Sequence, residues 1–249
     1  MLSLIVSLFT SLTVQAAPLP VERAAQTLLT HYFKEYTLDF NFGEQTGVAA
    51  IYTNGKIAHL QVNEKLAKSG RLNEDQWLAI LCHEAGHIYG GAPFTWTNPN
   101  DGGEDSAEGQ ADYFSTAKCL RTIWTDESAN AAYVKNIPTK SVGQIRARGC
   151  RDNQCIRIVW NGLLTLQEVH FKQTIALDQK SNVVAKSTHC SHDSLPAQCR
   201  LDTVIAGAVC DADPNMPFGR NSQREGACAT GPGARPACWF APVNLDSYY

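Results

Sequence analysis

The chain contains no Cys-x-x-Cys pair, no basic stripe and, beyond its N-terminus, no apolar run long enough to cross a bilayer. The first absence argues against a zinc site built from cysteines, since the nearest spacing, Cys150-x4-Cys155, stands alone. The second argues against nucleic acid as a partner. Lysines and arginines are scattered, runs of one sign are short, and the net charge is −3. The third leaves no integral span after the N-terminal segment, because a membrane helix needs about 20 apolar residues. No internal repeat is visible.

The N-terminus and the cysteines both point to export. Residues 2–14 form an apolar h-region, and Val14-Gln15-Ala16 fits a small-x-Ala cleavage site, so a processed chain would begin at Ala17. The segment before it carries no Lys or Arg, which keeps an uncleaved anchor as the competing reading. There are nine cysteines, and eight of them follow residue 100. Many cysteines behind an export signal read as a disulfide framework in an oxidising, secreted or periplasmic compartment. Cys82 is the expected odd one out, as a small buried residue inside an apolar helical segment. The pairing of the other eight is open.

What the chain does have is His83-Glu84-Ala85-Gly86-His87. On a helix, positions i and i+4 lie on one face about 5–6 Å apart, so two imidazoles can bind one zinc ion. Glu84, next to the first, can then act as general base on a water at that ion. At this chain's own His and Glu frequencies the pattern arises by chance roughly once in a hundred such sequences. Its surroundings predict the helix: Asn73 as N-cap, Glu74 and Asp75 in the first turn, and Trp77, Ile80 and Leu81 at three- and four-residue steps. Gly90-Gly91-Ala92-Pro93 stops it.

A catalytic zinc site needs a third protein ligand and an open position. After a loop rich in Gly, Asn and Pro, Glu104 to about Leu120 reads as a second helix on which Glu108 and Asp112 share a face. Glu108 is the candidate third ligand and Asp112 the acceptor behind a ligand histidine. Glu104, one turn earlier, is the rival for the ligand position. The bland alternative, a solvated acidic first turn, suits Glu104 and Asp105 but not Asp112 amid Ala111, Tyr113 and Phe114.

Elsewhere, residues 20–36 read as an amphipathic helix. Residues 47–53 and 56–63, joined by Asn54-Gly55, read as a hairpin. Residues 126–134 and 156–174 read as further helices, and the chain beyond Ser187 is turn-rich except for an apolar run, 201–209. His31, His59 and His170 are expected to be structural. Phe94 and Trp96 in the loop between the zinc helices hint at an apolar subsite.

His-Glu-x-x-His followed by Glu108-Gly109-Gln110-Ala111-Asp112 on a later helix resembles the gluzincin metallopeptidases, in particular the branch that includes HtpX and the CAAX prenyl endopeptidases. The resemblance covers roughly residues 45–120. It extends weakly to Thr188-His189-Cys190-Ser191-His192 with Arg200 downstream, where that family has a His-Pro-Ser…Arg segment; here Cys190 replaces the proline. The chain departs from the best-known members in lacking multiple membrane spans and in having a short loop between its zinc helices.

The resemblance implies a zinc endopeptidase acting on a polypeptide, with Glu84 as base and a late His or Arg stabilising the oxyanion; His192, His189 and Arg200 are the candidates. An Arg there could equally pair with Asp193 or Asp202. It also implies that the strand over residues 57–62 borders the cleft as an edge and pairs with extended substrate. The expected architecture is α+β and zincin-like: mostly helical, with a small antiparallel sheet bordering the cleft. We expect a signal peptide at 1–16, a catalytic domain at 17–186 and a cysteine-rich extension at 187–249 packed on it. Two other readings are a non-catalytic zinc-binding envelope protein and a latent enzyme whose tail covers the site.

Overall fold

The computed structural model describes residues 17–44, 47–95, 105–170, 173–190 and 195–241. The expected signal peptide, together with Trp96, Glu104 and His192, lies outside them. The described chain is α+β. Helix α1 (Pro20–Tyr32) is followed by strands β1 (Thr37–Gly43), β2 (Ala49–Asn54) and β3 (Ile57–Asn63), and then by the short helix α2 (Glu64–Lys68). Helix α3 (Glu74–Tyr89) carries both motif histidines. After it come α4 (Glu108–Phe114), a π-turn over Ser115–Cys119, and α5 (Leu120–Ile123). Helices α6 (Glu127–Val134), α7 (Thr139–Ala147), α8 (Asn153–Val169) and α9 (Ala197–Val209) complete it.

The Asn54-Gly55 hairpin forms between β2 and β3. Two expectations for the sheet are overturned. It is mixed, not antiparallel, because β1 joins β3 in parallel, and its order, β1-β3-β2, makes β3 the central strand. The edge on the cleft side is instead β2, whose first residue lines the central cavity. Alternation explains the placement of β3: Ala58, Leu60 and Val62 are buried, while Ile57, His59, Gln61 and Asn63 turn to the other face. Ala58 and Leu60 face Ala25, Leu28 and Phe33 at the end of the amphipathic helix α1.

Helix α3 forms for the reasons its sequence gives. The Asn73 side chain accepts from Gln76 N–H while Gln76 returns a bond to Asn73 N–H, a capping box whose loss costs about 1 kcal/mol. Trp77, Leu78, Ile80 and Leu81 are buried, each stabilising by roughly 1.5–3 kcal/mol. On its flanks α3 packs against α1, α4 and α8. Helix α9, read from sequence only as an apolar run, packs on α8 and α4 with Leu201, Val204 and Ile205 buried.

All cysteines but one are paired, in four disulfides: Cys82–Cys119, Cys150–Cys155, Cys199–Cys238 and Cys210–Cys228. Cys82 is therefore not the odd one out. It faces the π-turn, with its Cα 5.7 Å from that of Cys119, within the span a disulfide bridges. The free cysteine is Cys190.

Candidate metal centre

Helices α3 and α4 touch backbone to backbone. A Cβ built on Gly86 would lie 2.7 Å from the Ala111 Cα, so only glycine permits this crossing inside the His-Glu-x-x-His motif. That approach brings the first residue of α4 over the histidine face of α3. Glu108 Oε2 lies 3.4 Å from His83 Nε2, and Glu108 Oε1 lies 3.6 Å from His87 Nε2. The three side chains offer donor atoms within 4.8 Å of one another, a group that could hold a metal ion.

Each imidazole is fixed from behind. His83 Nδ1 donates to Asp112 Oδ1 at 2.8 Å, and His87 Nδ1 donates to the Ser106 carbonyl at 2.8 Å. Both acceptors put a ring proton on Nδ1 and turn Nε2, the atom that would bind a metal, toward Glu108. Bonds of 2.0–2.2 Å in a tetrahedral zinc site imply ligand–ligand edges of about 3.3 Å. The two nitrogen–oxygen separations match that edge, so the residues present fit a zinc ion.

Asp112 is in turn gripped by Arg200 of α9, whose Nε and Nη2 donate to its two oxygens at 2.8 and 2.6 Å. Arg200 thus pairs with Asp112, while Asp202 pairs with Arg148. Burial disfavours charge throughout the site, and pairing decides which groups keep it. Asp112 is buried, yet Arg200 and His83 hold its carboxyl far below the usual range. Burial likewise opposes charge on Arg200, and Asp112 outweighs it. Against burial, Asp112 lifts His83 to about 10 in the metal-free protein. Burial would raise Glu108, but its bond to His83 and the charges of His83 and Arg200 bring it to about 2. Burial and the His83 charge lower His87. Glu84 lacks such a partner: burial pushes its carboxyl up to about 7 against the opposing pull of His83.

These groups open onto a cavity of about 330 Å³. Glu84, His83, His87, Glu108, Asp112 and Arg200 line one part of it, and Val48, Ala49, Ile80, Leu166, Val169 and Val204 supply an apolar remainder. Arg200 and Val204, within the expected 187–249 extension, contribute to its wall, and no described residue after Val204 lines it.

The structure brings together seven of the residues considered from sequence, including His170, which was expected to be structural. His170 lines the cavity, and its Nε2 accepts from Arg200 Nη1 at 3.4 Å. It follows the end of α8, and nothing in its spacing to the motif announces it. His189 is elsewhere: its backbone N–H donates to Trp239 O and it does not line the cavity. Phe94 is likewise outside the cavity, bridged to Ser106 beneath the Arg220 guanidinium. Comparisons with protein-family models, curated proteins and solved structures each find no match. The assignment therefore rests on the geometry.

Proposed function

We propose that this chain is a zinc-dependent endopeptidase of gluzincin type, working outside the cytoplasm on extended polypeptide. The observation that carries the reading is the convergence of two Nδ1-anchored imidazoles and one carboxylate on a single point, with a half-buried glutamate that has no ion-pair partner among the described residues beside them. Zinc held by His83, His87 and Glu108 would supply a Lewis acid for a peptide carbonyl and lower the pKa of water.

The chain's own residues do the rest. Glu84 takes a proton from the attacking water and passes it to the leaving amine nitrogen. A carboxyl brought to about 7 by burial can accept and return a proton at neutral pH. Asp112 keeps His83 in the tautomer that presents Nε2, and Arg200 keeps Asp112 ionised. Among the described residues we assign the oxyanion role to His170, which lines the cavity and whose ring proton is put on Nδ1 because its Nε2 accepts from Arg200. The apolar wall favours an apolar substrate side chain over a charged one.

Four disulfides support a secreted or periplasmic site of action. No described helix is long and apolar enough to cross a membrane. The deciding experiment measures zinc content and casein hydrolysis for wild type and Glu84→Gln side by side. One zinc in both, with hydrolysis only in wild type, is expected. Full activity in Glu84→Gln would sink the mechanism, and wild type without zinc would sink the whole reading.

A further inference from the structure

We infer that the C-terminal segment after Val209 sets the position of the metal helix α4 from its outer side, with Trp239 and Arg235 as positioning residues for Glu108. The inference rests on the metal-site reading above and adds a second set of residues to it. It also runs opposite to a tail that masks the site.

The segment grips α4 and its continuation at successive points. Trp239, fully buried, lies against Gly109, the residue after Glu108; a Cβ there would sit 2.3 Å from the indole Cδ2. Its indole Nε1 has no hydrogen-bond partner among the described residues, so shape holds this ring in place. One residue on, Gln110 Oε1 accepts from Arg235 Nε at 2.6 Å while Gln110 Nε2 donates to Gly90 O, at the end of α3, at 2.6 Å. Arg235 is 8 % exposed and has no carboxylate partner among the described residues; it lies over the Tyr113, Phe218 and Phe240 rings.

Further along, Tyr113 OH donates to Gly233 O at 2.6 Å, Lys118 Nζ to Asp213 O at 2.6 Å, and Arg121 to Cys210 O. Cys199–Cys238 fastens the residue before Trp239 to the residue before Arg200. The tail therefore holds the residues adjoining both the carboxylate ligand Glu108 and the arginine behind His83. A helix whose first residue is a ligand, and which carries no side-chain cap, depends on such outside contacts for its setting.

The test compares zinc affinity, by chelator competition, and the visible spectrum of the cobalt-loaded protein across full-length variants. Gly109→Ala should weaken zinc binding at least tenfold and alter the cobalt bands, and adding Trp239→Leu should restore most of both. Ile145→Ala, buried on α7 and distant in sequence, supplies a destabilised control that should keep wild-type affinity and bands. Should Gly109→Ala fail to fold, Trp239→Leu alone, which empties the space without a clash, should weaken binding and shift the bands. Wild-type affinity in Gly109→Ala or Trp239→Leu, or a loss equal to that of Ile145→Ala, overturns the positioning role while leaving the metal site standing. Tighter binding or higher activity after either change would point to a masking tail and also overturn it. Wild type that takes up neither metal overturns the site itself, and this proposal with it.

Discussion

Severing Cys82–Cys119 should cost this protein more than severing any short-range bridge, and should be felt at the metal. The pair closes a loop of 37 residues. In the chain-entropy treatment such a loop restricts the unfolded state by about 2.1 + 1.5R ln 37 entropy units, which is about 4 kcal/mol at room temperature. Cys150–Cys155, with a separation of 5, gives about 2 kcal/mol by the same relation. Both sulfurs of the longer pair are buried, so Cys82→Ala/Cys119→Ala also leaves a void that adds to the loss. Cys82 immediately precedes His83, and Cys119 ends the π-turn that continues α4. The bridge therefore ties the two ligand-bearing helices together. Denaturant unfolding of the metal-free double variant, beside Cys150→Ala/Cys155→Ala, measures the first effect; chelator competition measures the second. The reasoning fails if the two double variants lose equal stability, or if zinc affinity is unchanged in the folded Cys82→Ala/Cys119→Ala protein.

Two further outcomes are expected. Asp112→Asn leaves the half-buried Arg200 with only Glu108, at 3.8 Å, as counter-charge and weakens the acceptor behind His83; metal-free stability should fall and zinc affinity should drop by roughly 10–100-fold, and a variant with wild-type affinity in the competition assay would refute this. Zinc uptake should release a proton and tighten with pH, because His83 in the metal-free protein carries a proton up to about pH 10 that a ligand nitrogen must shed. The sign follows directly: higher pH removes the competitor, so affinity climbs by up to about tenfold per unit below that value. Calorimetry between pH 6 and 8 in two buffers of different ionisation enthalpy counts the proton, and no release at pH 7 would contradict it.

The parts of the site legible in the sequence are those whose information is local. Asn73, the apolar steps of α3 and Gly90 mark a helix within one stretch, and i, i+4 spacing then pairs His83 with His87 and Glu108 with Asp112. That Glu108 meets the histidines depends on the Gly86–Ala111 contact between two helices, which spacing alone cannot supply. The partner of Cys82 was invisible for the same reason. Strand β1 alternates through Leu38, Phe40 and Phe42, but its parallel neighbour is twenty residues on. Helix α9 is buried on nearly every side, so it lacks the polar stripe that reveals a helical period. The hairpin sequence does not disclose that a third strand adds to the far side of β3 and makes it central.

The grip of the tail on α4 has a consequence for the order in which the protein matures. His83, His87 and Glu108 are all synthesised before Asp213, Gly233, Arg235 and Trp239 exist to hold α4 in place. A chain that emerges N-terminus first would thus complete its ligand set early and its scaffold last. If the proposed peptidase reading holds, this ordering would leave the ligand set without its full scaffold while the rest of the chain is still unfolded.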